Sequence, residues 1–136
     1  MIDKHKQKIH QILTERNISS FMNNTKWREL QNAVNTLQFP PPFLLKSLLD
    51  EYDSSACNRF ETEVITYIGD WSDESFLWGA FDLVEWIKVR PVLFKYRGRL
   101  IPHEKIDESV EFESILKQYN IPYEFENGIY TIFGYK

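Results

Sequence analysis

The sequence predicts an α+β fold: N-terminal helices packed on an antiparallel sheet, one late helix, and a C-terminal β-hairpin. Three observations predict it. Apolar residues at helical spacing occur early and again after residue 110, and β-branched and aromatic runs fill the middle. Asn127-Gly128 then stands between two aromatic and β-branched runs, the strongest short-range hairpin signal. The 136 residues suit one domain over 1–136, with residues 1–20 forming an N-terminal helix that frays.

The elements follow in order. Ile2, Ile9, Ile12 and Leu13 form a narrow apolar stripe and predict a helix over 2–16. In NNTKWRELQNAVNTLQFPPP, residues 23 to 42, Trp27, Leu30, Val34 and Leu37 step by three, four and three along one helical face. Asn24 or Thr25 suits its N-cap, and Pro40, Pro41 and Pro42 stop any helix because none has an amide donor. FLLKSLLDEY, residues 43–52, is ambiguous: Phe43, Leu45 and Leu49 fit one strand face, but propensity favours a helix launched by Pro42. DSSACN, residues 53–58, reads as a turn, and TEVITYI, residues 62–68, as a strand. FLWGAFDLVEWIKVR, residues 76–90, reads as one long strand or two. Leu83, Glu85, Ile87 and Val89 face one side, and Val84, Trp86 and Lys88 the other. VLFKY, residues 92–96, precedes a turn at Arg97-Gly98. A helix over roughly 107–119 carries Phe112, Ile115, Leu116 and Tyr119 on one face, with Asp107 as its N-cap.

Composition narrows the function classes. Cys57 is the single cysteine, which excludes an internal disulfide and suits a reducing cytoplasm. The basic N-terminus has no continuous apolar stretch, so it reads as neither signal peptide nor membrane span. Net charge is −4 and strongly segregated. Residues 47–87 hold ten acids against Arg59 alone, while residues 88–106 hold six Lys/Arg against Glu104. Such an acidic block attracts a basic partner and repels phosphate backbones.

Catalytic and metal motifs are absent from the pattern. His5 and His10 are five residues apart, roughly 140° around a helix, and miss the spacing that zinc favours. His103 beside Glu104 reads as a solvated pair. GDWSDESF begins like a calcium loop but places Ser75 and Phe81 where glycine and glutamate are required. The glycines (69, 79, 98, 128 and 134) frame no nucleophilic serine, dinucleotide fingerprint or phosphate loop. Cys57 has only Arg59 as a nearby cation, too little to activate a thiol. The chain therefore reads as a non-enzyme that uses no cofactor and no metal.

Asn23-Asn24-Thr25-Lys26-Trp27-Arg28-Glu29-Leu30, Val84-Glu85-Trp86-Ile87 and Gly128 to Gly134-Tyr135 resemble the anchors of a family of small, uncharacterised bacterial proteins. Residues after Pro91, including VLFKYRGRLIPHEK, expand on that pattern, as does the N-terminal helix. The resemblance supplies no catalytic residues. It implies a likeness to the immunity proteins encoded beside polymorphic toxins. The expectation is a cytoplasmic immunity or antitoxin-like protein that masks a toxin domain with a basic surface. Asp50, Glu51, Asp53, Asp70, Asp73 and Glu74 would steer the partner, with Trp71 as an exposed anchor. The alternative is a nucleic-acid-associated module using Lys88, Arg90, Lys95, Arg97 and Arg99, interleaved with Phe94 and Tyr96.

Overall fold

The structure, a computed structural model, describes residues 4–72 and 81–136. Its helices are α1 (Lys4–Arg16), α2 (Asn24–Ala33), α3 (Ser54–Thr62) and α4 (Ser109–Gln118). Its strands are β1 (Phe43–Ser47), β2 (Val84–Val89), β3 (Val92–Lys95), β4 (Glu104–Asp107), β5 (Glu124–Glu126) and β6 (Ile129–Phe133). One antiparallel sheet has the order β1-β2-β6-β5, and β3 and β4 form a second, two-stranded sheet. The α+β architecture is the one the sequence predicts.

The period-2 pattern gives the larger sheet two working faces. Register pairs Leu45 with Ile87 and Ile87 with Ile132, so Phe43, Leu45, Ile87, Val89, Tyr130 and Ile132 share one face. On it pack Trp27, Leu30 and Val34, from α2 and the turn after it, and Phe112, Ile115 and Leu116 from α4. The opposite face carries Leu44, Lys46, Trp86, Lys88, Thr131 and Phe133. Helix α3 covers only part of it, through a small cluster of Phe60, Ile65, Ile129 and Leu44. On the rest of that face Trp86 and Lys46 are buried, while Lys88, Thr131 and Phe133 are half-buried.

Local chemistry explains the element ends. Asn23 caps α2, its side chain accepting from the Lys26 amide at 2.8 Å, one residue earlier than the sequence suggested. The N-cap of α4 is Glu108, one residue later than the sequence suggested, and Asp107 before it accepts from the Ser109 amide and hydroxyl at 2.9 and 2.6 Å. Asn127 and Gly128 both take positive φ, 52° and 79°, as the tight turn between β5 and β6 demands. The three prolines do more than stop a helix. The carbonyls of Pro40, Pro41 and Pro42 accept from the Gly69 amide, the Trp71 indole and the Arg90 amide respectively.

Several expectations are corrected. Residues 43–52 resolve into strand β1 followed by a turn. DSSACN is no turn but the start of α3, with Asp53 as its N-cap. Residues 63–68 are not a strand: the helix ends at Thr62, and a lone backbone bond, from the Phe94 amide to the Ile65 carbonyl, ties the extended segment to β3. The predicted strand over 76–90 begins only at Val84, after a 3-10 turn at Phe81–Leu83, and its residues 76–80 lie outside the described residues. Helix α1 starts at Lys4 in the described chain and is held by His5 on Asp82, a buried Ile9, and Arg16 on Glu85.

Candidate functional site

The partly covered face of the larger sheet forms a groove. Its floor is Trp86 and Lys88 of β2 with Ile129, Thr131 and Phe133 of β6. One wall is Glu61 of α3 with Tyr52; the other is Glu124 and Glu126 of β5. Pairing of Glu124 with Thr131 and Glu126 with Ile129 turns both carboxylates to the floor's side of the sheet. A second hollow continues past Trp86 towards Lys46 and is lined by Asp50, Glu51, Asp53 and Cys57. The first cavity encloses about 250 Å³. That is below the range of about 300–1,000 Å³ usual for small-molecule sites, and suits inserted side chains better than a cofactor.

The groove's chemistry is aromatic faces beside carboxylates. Lys88 places its ammonium 5.5 Å from the Trp86 ring centre and 4.0 Å from Glu61. Lys136 repeats the arrangement, 4.8 Å from the Phe133 ring centre and paired with Glu124. A cation over an aromatic face is attracted by the ring quadrupole, so Lys88 sits on Trp86 within the groove and Lys136 on Phe133 beside it. The Glu51 and Glu126 side chains make no hydrogen bond or ion pair among the described residues. Glu85, 5% exposed, pairs with Lys46 at 3.0 Å and with Arg16. That buried pair holds the bulged end of β1 against β2. The Cys57 thiol beside it pushes the Tyr52 hydroxyl up from its ordinary pKa.

The acidic residues singled out in the sequence divide. Asp50, Glu51 and Asp53 line the second hollow; Asp50 also accepts from the Ser47 amide at 3.4 Å, and Asp53 from Ala56 as the cap of α3. Asp70 lies elsewhere, in a hollow with Arg28, Asn32 and Asn35, and curls onto Ser72. The Ser72 hydroxyl and amide lower its pKa. Trp71 contradicts its expected exposure. It is 4% exposed, its indole donates to the Pro41 carbonyl at 2.8 Å, and its ring meets Phe43 edge-on at 4.9 Å. It is a core anchor. Asp73 and Glu74 lie outside the described residues.

Sequence reasoning missed Glu61, Glu124, Glu126, Tyr52, Trp86 and Phe133. The alternation of Glu124 and Glu126 beside an Asn-Gly turn was a usable signal, because hairpin register fixes which face they share. The basic segment also divides. Lys88 sits in the groove floor, and Arg90 donates to the Phe60 and Glu63 carbonyls. Lys95, Arg97 and Arg99 belong to the β3–β4 hairpin and the loop at its tip.

Among the described residues, no group of three His, Cys, Asp or Glu is placed to hold a metal ion, and no helix is long and apolar enough to cross a membrane. The fold and site define an α+β domain with an acidic, aromatic-floored groove. The chain belongs to a family of unknown function, DUF6678, whose model matches residues 9–136. No curated protein and no solved structure matches the chain.

Proposed function

We propose that the chain is a non-enzymatic protein-binding module of the immunity or antitoxin type, which masks a toxin domain by taking a basic segment of it into the groove. The observation that carries this reading is the pairing of carboxylates with aromatic faces at Trp86 and Phe133, where lysines already sit. Acids at the rim steer a cationic surface, and the aromatic floor supplies the contact area that anchors it. Asp50, Glu51, Asp53, Glu61, Glu124 and Glu126 are the steering residues of this reading. Tyr52 and Phe133 are its anchors, above the buried Trp86 of the floor. The reading includes a cytoplasmic setting, in keeping with the single, buried thiol of Cys57.

The test is co-expression with the product of the neighbouring gene. Protection and a complex are expected, and Glu124→Lys with Glu126→Lys should weaken binding at least about tenfold, mostly through the on-rate at low salt. A complex indifferent to both reversals and to salt would remove the groove from the reading, and failure to form any complex would remove the reading itself. The alternative, a nucleic-acid module on Lys88, Arg90, Lys95, Arg97 and Arg99, has weaker support because Lys88 and Arg90 are already engaged within the fold.

A further inference from the structure

The groove has a counterpart on the same chain. Strands β3 and β4 pair from Val92↔Asp107 to Lys95↔Glu104, and residues 96–103 form the loop of this arm. Lys95, Arg97, Arg99 and Lys105 give it four cations against two acids, Glu104 and Asp107. Its tip is apolar and open: Leu100 is 98% exposed, with Ile101 and Tyr96 also more than half exposed. A lone exposed leucine is ordinary, but three large apolar side chains grouped on one loop mark a docking surface. The arm is also ordered by its own contacts. Arg97 Nε donates to the Pro102 carbonyl at 3.0 Å, the Ile101 amide bonds the Gly98 carbonyl, and Tyr96 lies against His103 with ring centres 5.8 Å apart. A pre-formed arm loses little conformational entropy when it docks.

We propose that the arm of one copy seats in the groove of a second copy, and the second arm in the first groove, forming a reciprocal two-fold pair. Charge decides the occupant: the arm's excess of cations faces the groove's excess of carboxylates, and both kinds of surface occur on every copy. Chemistry agrees: Lys88 and Lys136 already take the Trp86 and Phe133 faces with Glu61 and Glu124, and the Glu51 and Glu126 carboxylates, unpaired among the described residues, are left for Arg97 and Arg99. Leu100 and Ile101 then lie against the half-buried Phe133 on the groove floor. Among the described residues no hydrogen bond or ion pair joins the arm to the groove of its own chain, so both remain available to a second copy. Reciprocity closes the assembly at two, whereas a one-way contact would propagate into chains. The inference rests on the groove accepting basic segments, as proposed above; the toxin partner and the second copy would compete for one surface.

The test is sedimentation velocity on the full chain at low and high salt, with two charge-reversed variants. The first carries Arg97→Glu and Arg99→Glu in the arm; the second carries Glu124→Lys and Glu126→Lys in the groove. The unmodified chain is expected to dimerise at low salt and to dissociate as salt screens the contact. Each variant alone is expected to be monomeric, since its arm and groove then carry like charge. An equimolar mixture should recover a heterodimer, in which both arm–groove contacts are complementary, and that recovery also shows that both variants are folded. Leu100→Asp, at a fully exposed position, should weaken the dimer without altering the thermal melt.

A chain that stays monomeric at low salt and high concentration overturns the inference. So does a dimer insensitive to both reversals, or association that disappears on nuclease treatment, which would assign the arm to nucleic acid instead. A monomer that still binds a basic protein through Glu124 and Glu126 overturns the self-association alone. A dimer with the expected charge behaviour but no basic partner upholds it and removes the masking function.

Discussion

At the residue scale, Glu108 carries a chemical consequence distinct from the groove. It is 2% exposed, its Oε1 accepts from the Phe39 amide at 3.2 Å, and its Oε2 has no hydrogen-bond partner among the described residues. Burial raises its pKa from 4.5 to about 7, the Phe39 amide opposes this, and Glu111 and Asp107 add to the rise. The folded state therefore holds a proton that the unfolded chain releases at lower pH. The stability this contributes is fully present below 4.5 and is lost as pH rises through about 7. Urea unfolding midpoints are expected to fall between pH 5 and pH 8, and Glu108→Gln to flatten that fall; an equally steep decline in the variant would exclude Glu108 as its source. Nothing in the sequence marks this residue. Asp107, Glu108 and Glu111 look alike as acids in a first helical turn, and only the packing of the Phe39 loop against α4 selects one for burial. Trp71 taught the same lesson in reverse: polar neighbours suggested exposure, while a carbonyl thirty residues earlier claimed its indole.

At the element scale, legibility followed the range of the interactions. The stripe of α2 and the hairpin of β5 and β6 were readable because their periodicity and turn chemistry are local. Helix α3 was not. The Asp-Ser-Ser that suggested a turn is equally the chemistry of an N-cap, and Cys57 and Phe60 are too few to announce an apolar face. Residues 63–68 have strand-like composition without a ladder, because a β-branched run becomes a strand only where another strand offers it a continuous edge. Gly134 gives this scale its prediction. The Gly134 and Tyr135 amides both reach the Glu85 carbonyl, and a Cβ at 134 would press into the Val84 carbonyl and lie 3.3 Å from the Trp27 ring. Neither backbone nor a fully packed indole has room to retreat. Gly134→Ala should cost about 1–3 kcal/mol, read as a lowered thermal midpoint; an unchanged melt would show that β2 and β6 part more easily than their register implies.

At the scale of the whole molecule, charge blocks in the sequence do not map onto single faces. The acidic run over 47–87 divides between the groove and the hollow near Asp70, and the groove recruits Glu124 and Glu126 from another block. That gathering depends on strand order, which composition cannot reveal. The two proposals are coupled, since one groove cannot hold a second copy and a foreign segment together. Adding a basic partner to the dimer should yield complexes with one copy of each protein, detectable by light scattering, and apparent affinity should fall as the chain's own concentration rises. A stable complex of two copies with two partners would separate the surfaces and break the coupling.

The position of β6 has a further consequence, for the order in which the molecule can be built. It is the last strand in the chain, yet it lies inside the sheet between β2 and β5. During synthesis β1 and β2 can pair, but the flank of β2 awaiting β6 stays unsatisfied through the making of β3, β4, α4 and β5. The core face of Ile87 and Val89 cannot receive Ile132 until then. Contacts that span so much sequence close slowly, and the nascent chain offers an open strand edge throughout. The two-way bonds between Ser19 and Lys136 fasten only after that edge is filled. They act as a final clasp, made last and binding the beginning of the fold to its end.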